Sequence, residues 1–320
     1  MSVFDLPSWF WMGVGVSLGL VFGSFLNVVI YRLPRGESLA FPGSHCPGCG
    51  APIRAADNVP LLGWLLLRGR ARCCKVAISP RYPLVELLGG LLGGALIQVS
   101  VLTLPVDTPL WQGGLLFIAQ LALGLGLIAA AFIDLSHMYL PDSITLGGTL
   151  LGLATVPLRP EASWFESLLG AAVGFVVIWL PFDLLHRLLR GSPGMGLGDA
   201  KLVMLAGAWF GWQGAVFTLL AGAVQATLTV LAIFATRGRI DEPEAVQRER
   251  AELAEELEQM TPEERAQVEA ELAGDPLARE PEQGLGKARV AFGPFLVLAT
   301  LELLVFGDFI RAELWGMLGS

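Results

Sequence analysis

The sequence is short of charged residues. Asp, Glu, Lys and Arg make up 16% of its 320 residues, whereas 54% are hydrophobic. Soluble globular domains usually carry about 25% charged residues, so this shortage excludes an ordinary soluble domain. The N-terminal apolar run has no Lys or Arg before Arg32 and is too long for the core of a cleavable signal peptide. We therefore expect an integral membrane protein whose first transmembrane helix lies within residues 1–31.

Apolar segments long enough to enter a bilayer recur along the chain, and a straight span needs about 20 residues. The sequence therefore predicts an all-α polytopic bundle of about eight transmembrane helices, of which the fourth and sixth are short. Gly15, Gly19 and Gly23 lie one turn apart on the first helix, which predicts close contact with another helix. The segments fall at roughly 8–31, 83–104, 111–133, 141–158, 164–185, 199–212, 214–236 and 291–311.

Lys and Arg are concentrated in three predicted loops, with eight in 32–81, eight in 237–290 and three in 186–201. Basic loops favour the cytoplasm. In an eight-span chain whose N-terminus is outside, all three loops and the turn 134–140 lie on the cytoplasmic side. The predicted units are a first transmembrane helix, a cytoplasmic cysteine-containing loop, a transmembrane core, an acidic cytoplasmic insertion, and a last transmembrane helix with the C-terminus. Their bounds are 1–31, 32–82, 83–236, 237–290 and 291–320.

Most of the negative charge lies in one segment. Residues 241–282 hold fifteen acidic and four basic side chains, and "ERAELAEEL" is nearly repeated as "ERAQVEAEL". Between the two copies, Thr261 is a candidate N-cap and Pro262 fits the first turn of a helix. The pattern predicts a cytoplasmic hairpin of two solvated helices. Such a hairpin is either a polar linker or a docking element for a partner.

Two carboxylates are candidates for catalysis. Placing an ionisable group in a bilayer costs free energy, so such a group usually has a function. Asp134 ends the third span, and Asp199 opens the sixth on the same side of the membrane. Of two neighbouring carboxylates one keeps a proton, so one acts as acid while the other activates water. Gly196, Gly198 and Lys201 are candidate substrate-binding residues. The glycines allow a peptide strand to approach, and Lys201 is also placed to bias the charge of the pair. This chemistry hydrolyses amides without a covalent intermediate.

Other interpretations of these acids stay open. Asp residues at helix starts are good N-caps, an account that suits Asp142. Carboxylates in membrane proteins also serve transporters and proton relays, although these favour charges near the bilayer midplane. A non-catalytic scaffold is a third alternative.

Several segments resemble the bacterial type IV prepilin peptidases, which are aspartyl proteases of the GxGD kind. The resemblance implies that Asp134 and Asp199 are the catalytic pair of an inner-membrane enzyme whose active site faces the cytoplasm. It implies cleavage of the leader of type IV prepilins or pseudopilins, followed by N-methylation with S-adenosylmethionine. Membrane lipid is an expected partner, and nucleic acid is not. The segments are "FGSFLNVVIYRLP" at 22–34, "CPGCG" at 46–50, "ISPRYPLVELLGG" at 78–90, "IDLSHMYLPD" at 133–142, "GMGLGDAKL" at 194–202 and "FGPFL" at 292–296.

The cysteines depart from the family pattern of two C-x-x-C pairs. Cys46 and Cys49 keep the first pair, but the second should fall at 71 and 74, and residue 71 is Ala. A structural zinc ion needs four ligands, so Cys73 joins Cys46, Cys49 and Cys74 only after a local rearrangement of the backbone. His45 is another candidate, and a degraded site with free thiols is the alternative. The sequence does not identify the S-adenosylmethionine site, because it has no G-x-G-x-x-G motif between a predicted strand and a predicted helix.

Overall fold

The computed structural model describes residues 5–160, 162–190, 196–238 and 291–315, with scattered positions between 247 and 268. Within this part of the chain the secondary structure is helical, without strands. The α-helices are α1 Ser8–Arg32, α2 Leu62–Leu66, α3 Arg81–Leu96, α4 Leu110–His137, α5 Asp142–Ala154, α6 Trp164–Ile178, α7 Leu185–Arg190, α8 Leu197–Arg237 and α9 Gly293–Ile310. Wider π-helical turns continue α3 over Ile97–Val101, link α6 to α7 over Trp179–Leu184 and follow α9 over Arg311–Trp315.

The protein is a polytopic all-α membrane protein, as predicted. In the described residues, six helical segments are long and apolar enough to cross a bilayer, and the expected number of about eight stays a prediction. Helix α5, the fourth predicted segment, has 13 residues and is short, as expected. The predicted segments 199–212 and 214–236 correspond to the two parts of α8, which meet at Gly211, where a φ of 73° and a ψ of −176° are not helical.

Helices α1 and α3 pack backbone against backbone, which confirms the contact predicted from the glycines of α1. A methyl group on Gly19 would collide with the carbonyl group of Gly89, and one on Gly23 would lie 3.0 Å from the Cα of Glu86. Gly15 meets Gly93 in the same way. Small residues allow such close approach because no side chains separate the two helices.

The kink in α8 is held by a half-buried arginine from the loop after α5. Gly211 has a φ of 73°, which breaks the helical hydrogen bonds and exposes the carbonyl groups before it. Arg159 donates from Nη1 to the carbonyl oxygen of Trp209 and from Nη2 to that of Gly152 at 2.7 Å. The Trp209 indole donates in turn to the carbonyl oxygen of Gly148 at 2.9 Å. These bonds join α5 to the first segment of α8.

Three buried polar side chains hold the cysteine-containing loop and the helices beside it: two attach the loop, and the third joins α1 to α3. The Glu86 carboxylate of α3 accepts a hydrogen bond from the amide of Leu61 at 2.7 Å. Arg32, at the end of α1, donates to the carbonyl oxygens of Ser38 and Pro42 at 2.9 and 2.7 Å. Asn27 donates to the carbonyl oxygen of Tyr82 at 3.2 Å. The loop therefore sits in a fixed position over the ends of α1 and α3.

The core lies where α3, α4, α8 and α9 meet. Its largest fully buried apolar side chains include Leu96, Leu127, Ile133, Leu202, Leu205 and Leu296. The predicted hairpin at 241–282 lies for the most part outside the described residues and stays a prediction. Where the chain is described, the Arg265 amide donates to the Thr261 carbonyl oxygen at 2.9 Å, as expected of a helix that begins near Thr261.

Candidate active site

Asp134 is fixed in place by the end of α4 and the beginning of α9. The helix ends at His137, because Met138 adopts a left-handed conformation with a φ of 54°. The Asp134 side chain is buried, and its carboxylate accepts a hydrogen bond from the Gly293 amide. Gly293 is the first residue of α9, where backbone amides have no partner within the helix. A buried carboxylate therefore caps the N-terminus of another helix.

Gly293 is a site residue that the sequence reasoning missed. A Cβ atom at this position would lie 2.5 Å from Oδ2 of Asp134, so any side chain would displace the carboxylate. The motif "FGPFL" served only as a mark of resemblance, although its glycine before Pro294 was a usable signal. Proline is common at the start of a helix, and a glycine beside it allows another group to approach the free amides.

Asp199 lies in the first turn of α8. Leu140 packs against Gly198 and Gly293, which lie next to the two acids. The side chain of Leu140 is buried and would lie 3.1 Å from a Cβ on Gly198 and 3.2 Å from one on Gly293. Asp199 is partly exposed and close enough to Asp134 for the two carboxylates to interact electrostatically. The structure therefore brings together the two acids that the sequence singled out.

The two glycines before Asp199 have different surroundings. Gly198 packs against Leu140, whereas Gly196, the N-cap of α8, is exposed, and a Cβ added to it would have its nearest neighbour 4.0 Å away. Of the two, Gly196 alone borders open space. This space is where the predicted peptide strand would enter, and the substrate-binding role of both glycines stays a prediction.

Lys201 makes an ion pair with the start of α5. Its Nζ lies 2.6 Å from Oδ1 of Asp142, so the ammonium is directed towards α5. The expectation that Asp142 caps its own helix is wrong. Pro141 occupies the N-cap position without a side-chain hydrogen bond, and Asp142 is the first helical residue. The predicted contact of Lys201 with substrate stays a prediction.

The four cysteines form one cluster at the ends of two similar turns. Their Sγ atoms all lie within 4.8 Å of one another, with Cys46 and Cys74 3.5 Å apart and Cys49 and Cys73 3.3 Å apart. A tetrahedral ion with bonds of about 2.3 Å to sulfur needs sulfur atoms roughly 3.8 Å apart. The cluster could therefore hold a metal ion without large movement.

The hydrogen bonds of the two turns explain why Cys73 takes part. The amide of Cys46 donates to the carbonyl oxygen of Ala51, and the amide of Ala71 donates equivalently to that of Val76. In this comparison, Ala71 occupies the position in the second turn that Cys46 occupies in the first, and Cys73 occupies the position of Gly48. The missing cysteine at 71 is thus replaced by a side chain that enters the cluster from two residues further on. His45 is outside the cluster, with its Nδ1 3.2 Å from the Gly43 carbonyl oxygen.

Electrostatics within the first turn favour a thiolate. A hydrogen bond from the backbone of Gly48 lowers the pKa of Cys46 to about 7. A thiolate is the form of cysteine that binds metals. Nearby, the Arg72 guanidinium donates to both oxygens of Asp57 and lowers the pKa of that carboxyl group. This ion pair braces the second turn against the loop before α2.

Comparison with known proteins identifies two matching regions. Residues 17–99 match the model of the bacterial peptidase A24 N-terminal domain, and residues 121–231 match that of the type IV leader peptidase family. The first region contains all four cysteines and the second contains Asp134 and Asp199. The acidic segment 241–282 lies outside both.

The chain matches individual relatives over most of their length. A prepilin leader peptidase/N-methyltransferase from Klebsiella pneumoniae is 44% identical over 214 residues, which is 63% of this chain and 86% of the relative. Proteins with the same name from Stutzerimonas stutzeri and Pseudomonas aeruginosa are 40% and 39% identical, over 65% and 64% of this chain and 75% and 74% of theirs. No solved structure matches the chain.

Proposed function

Because the chain belongs to the type IV leader peptidase family, we propose that it cleaves the leader from type IV prepilins or pseudopilins and methylates the new N-terminus. The observation that carries this proposal is the meeting of Asp134 and Asp199 around Leu140 and the Gly293 amide. Family membership favours peptide cleavage over the transport and scaffold alternatives.

Cleavage needs one carboxylate as base and one carboxylic acid. The ionised group takes a proton from water as the water oxygen bonds to the carbonyl carbon of the substrate. The protonated group gives its proton to the amide nitrogen as the carbon–nitrogen bond breaks. The products are a leader that ends in a carboxylate and a mature chain with a free amine. The Gly293 amide donates to the Asp134 carboxylate and so helps to orient it for this step.

The reaction takes place at the cytoplasmic face of the inner membrane in this proposal. Its support is the distribution of basic residues, since Lys and Arg are concentrated in the loops on the same side as Asp134 and Asp199. The ion pair between Arg72 and Asp57 and the cysteine cluster belong to one of these loops.

Zinc is the metal that best fits the cysteine cluster. Four thiolate ligands with tetrahedral spacing are typical of structural zinc sites. Cys46, Cys49, Cys73 and Cys74 would hold the ion, and it would join two turns that are otherwise linked by few hydrogen bonds. Its role is to stabilise the loop and not to activate water, because a closed four-cysteine site leaves no open position.

Methylation requires a methyl donor, and S-adenosylmethionine is the one we assign. When bound, it supplies the methyl group that replaces a hydrogen of the new terminal amine.

The test of cleavage is an assay with purified enzyme and a membrane-embedded prepilin. Asp134→Asn and Asp199→Asn should each lower the cleavage rate by about 100-fold or more, because general acid–base catalysis is worth roughly 10²–10⁴. Asp308→Asn is the matched control, since Asp308 is an exposed carboxylate near the other end of α9. Cleavage at the normal rate by either active-site variant would refute the assignment.

A further inference from the structure

A cleft of about 260 Å³ opens where α1 ends, α3 begins and α4 ends. These three positions are also ends of the membrane-spanning segments Ser8–Arg35, Arg81–Val101 and Leu110–His137. The cleft therefore lies at the boundary of the apolar segments, and phospholipid headgroups occupy the corresponding boundary of the hydrocarbon core. The polar residues that line it are Tyr31, Arg35, Arg81, Ser136 and His137.

The cleft carries positive charge that no carboxylate balances. Two of its lining residues are arginines, and every lining residue that the structure describes is neutral or basic. Within the described part of the chain, neither Arg35 nor Arg81 forms an ion pair with a carboxylate. Arg35 donates to the carbonyl oxygen of Tyr31, and its guanidinium lies 4.1 Å from the centre of the Tyr31 ring. The charge of the cleft therefore favours an anionic ligand.

Arg81 also has a donor that the rest of the protein leaves unused. Its Nε atom is buried, and it has no hydrogen-bond partner among the residues that the structure describes. A buried donor without an acceptor costs free energy, and an anionic oxygen bound in the cleft would recover that cost. This feature points to a ligand with oxygen atoms rather than to a purely apolar one.

The surface beside the cleft is apolar, which favours a lipid over a soluble anion. Leu135, at the end of α4, lines the cleft and is more than half exposed. On α3, a stripe of exposed leucines begins one turn after Arg81 and continues along the membrane-spanning segment. Side chains three and four residues apart share one side of a helix, so an acyl chain could lie along this stripe. These leucines are Leu84, Leu87 and Leu91.

We propose that the cleft binds the phosphate group of an anionic phospholipid, with Arg35 and Arg81 pairing with its oxygen atoms. A guanidinium group can donate two parallel hydrogen bonds to a phosphate, and one of these would use the Nε of Arg81. Pockets that enclose a whole drug-sized ligand usually measure about 300–1,000 Å³. The cleft therefore holds a headgroup, and the acyl chains lie outside it along α3.

Native mass spectrometry of the full chain in detergent tests the proposal, with dioctanoyl-phosphatidylglycerol as the probe. Arg35→Gln and Arg81→Gln should each raise the Kd of this lipid by about tenfold or more, because each removes hydrogen bonds to a charged group. Arg81→Lys should recover only part of the loss, because an ammonium keeps the charge but lacks the fork geometry. Arg54→Gln is the matched control, since it removes the same charge from an exposed arginine outside the cleft.

The control also separates a specific site from a generally basic surface. Arg54→Gln should leave the Kd unchanged. An equal loss of binding in Arg54→Gln and Arg81→Gln would show that only the total charge matters, and it would overturn the inference. Unchanged binding in both Arg35→Gln and Arg81→Gln would overturn it as well.

Two further ligands distinguish the sources of the phosphate. Dioctanoyl-phosphatidylcholine has the same chains but no net charge, and it should bind about tenfold more weakly because its cation meets two arginines. Inorganic phosphate at the same concentration should not displace phosphatidylglycerol, because it has no chains to contact the leucines. Equal binding of the two lipids would refute an anionic headgroup, and displacement by inorganic phosphate would assign the cleft to a soluble anion.

Thermal unfolding in the same detergent shows whether Arg81 acts through the fold. A ligand that binds the folded state raises the Tm, so phosphatidylglycerol should raise the Tm of the wild type more than that of Arg81→Gln. A variant with a lower Tm and an unchanged Kd would give Arg81 a purely structural role and overturn the inference. Because Arg35 is exposed, Arg35→Gln repeats the test with little disturbance of packing. No measurement uses a prepilin, so failure here leaves the proposed function intact.

Discussion

At the scale of single residues, Gly293 determines whether Asp134 can occupy its position. Both oxygens of a catalytic carboxylate must be placed within a few tenths of an ångström, and here a backbone amide does the placing. The sequence singled out the two aspartates because charged residues are rare in apolar segments; the structure brings them together, and their catalytic role stays a prediction. Gly293 could not be predicted in the same way, because its contribution is an amide that every residue except proline possesses. What is specific to it is the absence of a Cβ.

Gly293→Ala should therefore lower the rate of prepilin cleavage by at least about tenfold, because the added methyl group displaces the Asp134 carboxylate. The measurement is the same cleavage assay, with the amount of folded protein checked by gel filtration. Gly147→Ala is the matched control, since a Cβ at Gly147 in α5 has no neighbour within 4 Å. Normal cleavage by Gly293→Ala would show that the carboxylate tolerates displacement.

At the scale of helices, most apolar segments were predicted within a few residues, because hydrophobic length alone defines them. The break between the sixth and seventh segments was predicted near residue 213, and it lies at Gly211, whose backbone is not helical. The role of Asp142 was missed. A sequence does not reveal that Lys201, far along the chain, lies 2.6 Å from its carboxylate. This error concerns a contact between distant segments, which periodicity cannot report.

Helix α3 offers a test of how the cysteine-containing loop is attached. Glu86→Ala removes the acceptor of the Leu61 amide, and an unsatisfied buried amide costs about 1–3 kcal/mol. Amide hydrogen exchange in residues 55–66 should accelerate by about tenfold or more, while exchange in α4 stays unchanged. Glu37→Ala serves as control, because Glu37 is an exposed carboxylate of the same loop. Equal exchange in both variants would show that Glu86 does not hold the loop.

At the scale of the whole molecule, the sequence reveals different things about the cysteine-containing loop and about the membrane core. Cysteine spacing predicted a metal site, but not how Cys73 compensates for Ala71. That explanation needs the hydrogen-bond pattern that the two turns share, in which Cys73 occupies the position of Gly48. The role of the acidic segment 241–282 stays a prediction, because most of the segment lies outside the described residues.

Metal analysis of the purified full chain should find close to one zinc ion per molecule. Cys49→Ser and Cys73→Ser should each lose most of the metal, because three thiolates hold zinc more weakly than four. His45→Gln should retain the metal, since His45 is outside the cluster. A wild type free of zinc would contradict the assignment, and so would a Cys73→Ser variant with full occupancy.

The bond between Asp134 and Gly293 also has a consequence for synthesis of the enzyme. The ribosome makes α4 and α8 before it makes α9, so the nascent chain carries Asp134 and Asp199 before the Gly293 amide exists. The acidic segment must also be translated in between. If the two acids cleave peptides as proposed, this activity is expected only when Gly293 has left the ribosome and α9 enters the bundle.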